Sequence, residues 1–176
     1  MPTLWIAVIV VCGLVALVLT ASTFAPREHA VSLRARYGRK PAEVWSAITD
    51  IDALPTWRTD LKSIERRPGV GGGRPAWIEH TRHGALPLEV DEWDAPRKMV
   101  VRIADEGGKL PFGGTWTWHL REVAGGCEVT LSENGFVSNP LFRVLAHFVF
   151  GYTRTLDRTL RALGAKFGEE TTPKVV

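Results

Sequence analysis

Two stretches of the chain set chemically able side chains beside side chains that exclude water. In Thr115–Val123 (TWTWHLREV), two-residue alternation puts Trp116, Trp118 and Leu120 on one strand face. Thr115, Thr117, His119 and Arg121 take the other face. In the returning stretch Cys127–Phe136, Val129, Leu131 and Glu133 share a face, so a carboxylate sits in line with apolar neighbours. A buried carboxylate needs a partner. Arg143, a short way along the chain, is the candidate cation; at a cavity mouth Glu133 could also stand alone. Burial raises a carboxyl pKa and would fit Glu133 for general acid work, whereas an ion pair or an exposed charge would leave it structural. Glu79 and Glu92 are similar cases on neighbouring strands.

Motifs for covalent, phosphate or metal chemistry are missing. Gly71–Gly72–Gly73 runs into Arg74–Pro75 rather than Gly-Lys-Ser/Thr, so this glycine run reads as a flexible turn and not as a phosphate loop. His80 and His83 stand three apart at a strand end, which puts them on opposite faces, and no cysteine or carboxylate pattern completes a zinc site. Ser132 and Ser138 lack the strand–turn–helix setting of a nucleophile. No catalytic residue, metal or cofactor is therefore assigned. Net charge is +3 and is not gathered into one block, which argues against a nucleic-acid partner. The 45% hydrophobic content argues against disorder. Of the two cysteines, Cys12 lies in an apolar run, so Cys127 has no partner for a disulfide within the polar part of the chain; this suits a reducing compartment.

That apolar run, Leu4–Leu19 (LWIAVIVVCGLVALVL), has neither charge nor proline and continues uncharged to Ala25. About twenty helical residues cross the roughly 30 Å hydrocarbon core of a bilayer. Cleaved signal peptides usually open with Lys or Arg, and Met1–Pro2–Thr3 has neither, although Thr20–Ala21–Ser22 could serve as a small-residue cleavage site. Val11 before Cys12 does not suit a lipoprotein. The expectation is a membrane anchor over residues 1–26 and one domain over residues 27–176. Arg27, Arg34, Arg36, Arg39 and Lys40 follow the helix against Glu28 alone, which predicts a single-pass protein with its C-terminal domain in the cytoplasm.

Alternation predicts a strand at Ala30–Tyr37, and Pro41 opens a short helix, PAEVWSAIT. Asp50 or Asp52 caps a second short helix that stops near Pro55 and Trp57. Strands follow at Leu61–Arg66, Ala76–Arg82, Leu86–Asp94, Met99–Ala104, Thr115–Val123 and Cys127–Phe136. Pro68–Pro75 forms a loop, and turns fall at Ala95–Pro96–Arg97, Gly107–Gly108 and Gly125–Gly126. Short links between successive strands predict an antiparallel meander. Asn139 and Pro140 then start one long helix, with Leu145, Val149, Tyr152, Leu156, Leu160, Leu163 and Phe167 on its apolar stripe. The tail after Glu169 is expected to fray. The fold class is α+β, a wide antiparallel sheet covered by one helix, with seven tryptophans and seven phenylalanines to fill or line the space between.

Four segments carry a family resemblance: PAEVWSAITDIDALPTW, VDEWDAPRKMV, PFGGTWTWHL and LSENGFVSNPLFRVLAHFVFGYTRTLDRTLRALG. On these the chain resembles the START-like superfamily, also called SRPBCC, in its polyketide cyclase/dehydrase and lipid-transport branch, over about Val31 to Phe167. The last segment looks like that of a bacterial subgroup. The resemblance implies a helix-grip fold: a curved antiparallel sheet wrapped around a long C-terminal helix, with two short helices after the first strand. It also implies an apolar ligand cavity between sheet and helix; the anchor lies outside that fold.

The candidate ligand-binding residues are Trp77, Glu79, Trp93, Trp116 and Trp118, then Leu131, Glu133, Arg143, Leu145, Val149 and Tyr152. Plain core packing is the competing reading for the tryptophans, although an indole also offers a cavity a flat apolar wall and one donor. Three functions stay open. The first is binding or transfer of a lipid or other apolar small molecule beside the bilayer. The second is a cyclase- or dehydratase-like enzyme, and the third an interaction module whose cavity is filled shut. Between Asn139 and Tyr152 apolar residues leave the stripe: Phe150 falls well away and Val144 flanks it, while His147 lies nearly opposite. Either the Pro68–Pro75 loop covers Phe150, or this end faces the bilayer with Arg143 and His147 near the headgroups, as a door for an apolar ligand.

Overall fold

The computed structural model describes residues 2–69, 73–82 and 84–176, with the side chains of Pro2, Val149 and Phe150 outside the description. The first helix, α1 (Pro2–Phe24), exposes apolar side chains all round, from Leu4 and Trp5 to Leu19 and Phe24. It is long and apolar enough to cross a membrane.

Strand β1 (Glu28–Tyr37) leads to α2 (Pro41–Thr49), which buries Val44, Trp45, Ala47 and Ile48. The entry to α2 is fixed by Pro41 in its first turn and by Glu43, whose carboxylate accepts from the Lys40 backbone N–H at 2.9 Å. Asp50 caps the 3-10 turn Ile51–Ala53, accepting from the Ala53 N–H at 3.4 Å. Asp52, the other candidate cap, instead meets Arg66 at 2.9 Å. Helix α3 (Leu54–Trp57) buries Leu54 and Trp57.

Six strands then run back and forth: β2 (Leu61–Arg67), β3 (Ala76–Thr81), β4 (Gly84–Asp94), β5 (Lys98–Ile103), β6 (Phe112–Val123) and β7 (Gly126–Val137). Strand β7 returns beside β1, and with the short C-terminal strand β8 (Lys174–Val175) the sheet order is β2-β3-β4-β5-β6-β7-β1-β8, antiparallel throughout. The register pairs Val31 with Glu133, Leu33 with Leu131, Ala35 with Val129 and Tyr37 with Cys127. Across β6 and β7 it pairs Trp116 with Glu133, Trp118 with Leu131 and Leu120 with Val129. Directly opposed residues share a face, so these side chains form the concave inner surface. The Trp116–Trp118–Leu120 face is thus the inner one, as the alternation predicts.

The covering helix differs from expectation in its first turns. Asn139 does cap it, accepting from the Leu141 and Phe142 N–H groups at 3.0 and 3.2 Å, and Pro140 opens α4 (Pro140–Val144). The run is then π-helical over Leu145–Phe150 and stops at Gly151, whose φ of 70° no helix continues through. The Gly151 N–H closes the wide turn on the Ala146 carbonyl at 2.9 Å. The covering stretch proper is α5 (Thr153–Lys166), where Leu156, Leu160 and Leu163 are fully buried. Each buried leucine contributes about 1.5–3 kcal/mol. The Tyr37 hydroxyl donates to the Leu160 carbonyl at 2.8 Å and ties α5 to β1.

The tail does not fray. Glu169 accepts from the Gly38 N–H at 2.9 Å, Thr171 is buried, and β8 (Lys174–Val175) pairs with Leu33 and Arg34 of β1. The edge of β1 has unpaired backbone groups, and the tail satisfies them. At the other end, α1 packs its last turn against α4, burying Ser22 and Ala25. On the convex face Glu128 is held by Arg121 at 2.5 Å, Arg36 at 2.9 Å and Arg34 at 3.8 Å.

Candidate functional site: a cavity between sheet and helix

The inner face of the sheet is wider than α5 can cover. What remains is a cavity of about 790 Å³, within the range of about 300–1,000 Å³ that suits small organic ligands. Its walls are mostly apolar: Trp77, Leu88, Met99, Val101, Trp118 and Leu131 from the sheet, Leu54 and Trp57 from α3, and Leu145, Ala146 and Leu156 from the C-terminal helices. The aromatic residues line this space and leave it open.

Two polar clusters interrupt the apolar wall. In the first, Glu133 has both oxygens occupied. Its Oε1 lies 3.0 Å from His29 Nε2, and its Oε2 accepts from Trp116 Nε1 at 2.9 Å. A carboxylate only accepts, so Nε2 carries a proton toward Glu133 and Nδ1 is the ring nitrogen left over. Tyr152 stacks on His29 with ring centroids 3.8 Å apart. Burial pushes the Tyr152 hydroxyl above its ordinary pKa; Arg143 acts in the opposite sense and Glu133 in the same one. His29 Nδ1, the Tyr152 hydroxyl and Arg143 Nε are buried without hydrogen-bond partners.

Gly135 makes room for this cluster. It pairs with His29 across β1 and β7, and a Cβ at that position would lie 2.8 Å from His29 Cε1 and 3.0 Å from Nε2. Only glycine lets the ring lie over β7 within reach of Glu133.

In the second cluster Arg58 donates to Glu79 at 2.7 Å and to Asp60 at 2.8 Å, and Glu79 lies 3.4 Å from the Trp77 indole nitrogen. Burial opposes the charge on Arg58, but Glu79 and Asp60 outweigh it and hold the guanidinium above its ordinary pKa. Charges taken out of water persist only when paired in this way.

Of the candidate residues, Trp77, Glu79, Trp116, Trp118, Leu131, Glu133, Leu145 and Tyr152 all line the cavity. Trp93 does not. A register shift between Val90 and Glu92 places it opposite Met99, on the inner face but at the end under α2, where it packs edge-to-face on Trp45 and stays 45% exposed. The partners of Glu133 are His29 and Trp116 and not Arg143, which is not part of the cavity wall either. The side chain of Val149 lies outside the described residues, as does that of Phe150, and so does His83. Glu92 is exposed and pairs with Lys98 at 2.6 Å, and His80 lies 3.2 Å from Glu65. Among the described residues no group of His, Cys, Asp and Glu is placed to hold a metal ion.

His29 and Arg58 escape the sequence reading for different reasons. Alternation in EHAVSLRARY puts His29 on the face of Val31, Leu33, Ala35 and Tyr37, so the signal was present. Arg58 follows α3 in an irregular segment, and nothing local aims it at Glu79, 21 residues on.

One rim of the cavity is aromatic and exposed. Phe112 and Phe136, at the facing ends of β6 and β7, are 39% exposed, and Phe142 on α4 is 52% exposed. Leu141 on α4 and Phe148 on the π-helical turn that follows it are exposed as well. The Arg27 guanidinium lies 5.8 Å from the centre of the Phe136 ring, so the rim adjoins the end of α1.

No curated protein matches the chain. Solved structures match its fold. A START superfamily protein from Mycobacterium smegmatis has a TM-score of 0.61 at 16% identity, covering 78% of this chain and 96% of that one. A protein from Rhizobium loti gives 0.59 at 19% identity, covering 79% and 96%. The di-domain ARO/CYC BexL gives 0.63 at 10% identity, and the match spans 79% of this chain and 50% of BexL. At these identities the likeness is one of fold. The family model for polyketide cyclase/dehydrase and lipid transport matches residues 28–168, from the first strand to the end of the covering helix, and the chain belongs to that family.

Proposed function

We propose that this protein binds, and passes to or from a membrane, a lipid or other apolar small molecule held between sheet and C-terminal helix. The observation that carries this reading is the apolar cavity of about 790 Å³ whose exposed aromatic rim adjoins α1. A contiguous exposed aromatic rim costs solubility in water and gains free energy at a bilayer surface. In this reading α1 is a membrane anchor that keeps the rim at the headgroups, with the domain on the cytoplasmic side. The cavity residues Trp77, Trp116, Trp118, Leu131, Leu145 and Tyr152 contact the ligand's apolar part.

A cyclase- or dehydratase-type enzyme is the second reading. It is favoured by the His29–Glu133 pair inside the cavity, where Nδ1 of a neutral His29 is a base held in a fixed tautomer. The two readings separate in native mass spectrometry of the full-length protein released from membranes. Binding or transfer expects an apolar molecule that co-purifies and comes out of the cavity chemically unchanged. An exchangeable ligand that emerges dehydrated or cyclised supports the enzyme instead. A cavity that retains nothing and accepts nothing from a broad lipid panel sinks both. N-terminal sequencing of the same sample tests the anchor, because a mature chain beginning near Ser22 shows that α1 is removed.

A further inference from the structure

Resting on the cavity reading above, we infer that the ligand carries an uncharged hydroxyl, and that the Arg58–Glu79–Asp60 cluster in the cavity wall receives it while the hydrocarbon part lies along the neighbouring strands.

The charge count at this cluster is uneven. Arg58, Asp60 and Glu79 all line the cavity. The Arg58 guanidinium donates to Glu79 Oε1 at 2.7 Å and to Asp60 Oδ2 at 2.8 Å, so one cation meets two carboxylates and one negative charge is left over. Glu79 is only 4% exposed, and its charge is felt inside the cavity at full strength. Arg82 and Arg158 also line the cavity, but from exposed positions where water and salt screen them. A carboxylate or phosphate head placed beside Glu79 would be repelled where screening is weakest. The polar group that fits here is therefore not an anion.

The cluster has unused valences of both kinds. Glu79 Oε1 takes the Arg58 bond and the weaker 3.4 Å contact of the Trp77 indole, while its Oε2 accepts no hydrogen bond among the described residues. On the donor side, Arg58 uses two of the five N–H donors a guanidinium carries, and its Nε is buried without an acceptor. The indole nitrogen of Trp57, the preceding residue and also part of the cavity wall, is buried without an acceptor too. A group seated here has to give a hydrogen bond to a carboxylate oxygen and take one from an N–H. A hydroxyl does both. An ammonium only donates, and an ether oxygen only accepts.

The apolar wall begins beside the cluster. Across β3 and β4 the register sets Leu86 opposite Glu79 and Leu88 opposite Trp77, and Ile103 of β5 stands opposite Leu88. All of these line the cavity, so a hydroxyl at Glu79 leads its chain onto an apolar surface. The aromatic rim belongs to β6 and β7, three and four strands from β3 in the sheet order. At about 4.8 Å per strand, that is roughly 14–19 Å along the sheet, a span that suits a long alkyl chain. The hydroxyl end thus lies far from the rim and the hydrocarbon end points toward it.

The test is native mass spectrometry of the full-length protein in pairwise competitions, with hexadecanol at equal concentration against hexadecanoate, hexadecyl methyl ether and hexadecylamine. The expected result is an excess of hexadecanol adducts of about tenfold over each, the worth of a hydrogen bond to a charged group. Glu79→Gln keeps the shape and removes the surplus charge, and should bring hexadecanol and hexadecanoate at least threefold closer. Asp60→Asn, in the irregular link between α3 and β2, should do the same and keeps the test valid if Glu79→Gln misfolds. Parity with hexadecanoate, or an excess of it, overturns the head assignment and leaves the cavity reading standing. Parity with the methyl ether overturns donation by the ligand, and an excess of the amine overturns the uncharged head. A hexadecanol preference untouched by both variants overturns the placement at this cluster. Absence of every adduct on the wild-type protein overturns the cavity reading and this inference with it.

Discussion

The ring of His29 lies flat on the ring of Tyr152, with centroids 3.8 Å apart and planes 11° from parallel. This contact joins the first strand of the domain to the start of α5, at positions 123 residues apart in the chain. It also fixes one wall of the cavity, because His29 is held at its other edge by Glu133. The geometry depends on Gly135, which leaves the space the imidazole occupies.

Gly135→Ala should therefore act on the site rather than on the strand. The added methyl would force the His29 ring off β7 and break its contacts with Glu133 and Tyr152 together. Overpacking of this kind costs about 1–3 kcal/mol. The expected outcome is a lower melting temperature and weaker quenching of tryptophan fluorescence by an apolar ligand, since Trp116 loses the neighbour that orders Glu133. A variant with unchanged melting and unchanged quenching would show that the ring does not need that space.

Arg58→Met should destabilise the fold more than a surface change does. Arg58 and Glu79 are both largely buried, and the substitution leaves the Glu79 carboxylate without its cation. Breaking a buried pair from one side costs about 3–5 kcal/mol. Adding Glu79→Gln to Arg58→Met removes the stranded charge and should recover part of that loss. Chemical denaturation of the single and double variants checks this, and a double variant no more stable than Arg58→Met would rule out coupling between the two charges.

Glu128 gives the fold a defined acid sensitivity. Hydrogen bonds from Arg121 and Arg36 hold its carboxyl at a pKa of about 2, against an ordinary value of 4.5. A carboxyl depressed by folding stabilises the native state above its unfolded pKa and loses that contribution as pH falls through the folded value. The stabilisation is complete above about pH 5 and declines from there to about pH 2. Glu128→Gln should melt lower than wild type near neutrality and lose less between about pH 6 and about pH 3. Parallel acid dependence of the two proteins in thermal melts would show that the arginine cluster carries no such linkage.

The sheet and the inner aromatic face were legible because their signal is local. Two-residue alternation in TWTWHLREV needs no tertiary information, and the register observed for Trp116, Trp118 and Leu120 follows from it. Trp93 misses the cavity although the register shift at Asp91 turns it to the inner face, because it stands at the end of β4 against Trp45; alternation shows which face a residue takes and not how far along the sheet a cavity reaches. The break at Gly151 was hidden by apolar residues that sustain a helical pattern up to it. The partner of Glu133 was out of reach for another reason: Arg143 is near it in sequence, whereas His29 is 104 residues away and meets it only once β1 pairs with β7. The tail shows the same limit, since its order comes from an unpaired strand edge at the far end of the chain.

The aromatic rim gives the sharpest test of a membrane-facing door. The sequence pointed to Phe150, whose side chain lies outside the described residues; Phe142 and Phe148, 52% and 58% exposed, now carry the argument. Phe142 also lines the cavity, so it stands between solvent and ligand. Inserting an exposed phenylalanine into the headgroup boundary gains up to about 1.5–3 kcal/mol. The domain without α1 should bind vesicles of phosphatidylcholine and phosphatidylglycerol, and Phe142→Asp combined with Phe148→Asp should weaken that binding by about tenfold or more. Both residues face outward, so the melting temperature should stay within about 2 °C of wild type. Vesicle sedimentation and thermal melts decide the matter. A variant that unfolds would place these rings in the core, and a wild-type domain that ignores vesicles would mean the rim meets something other than lipid.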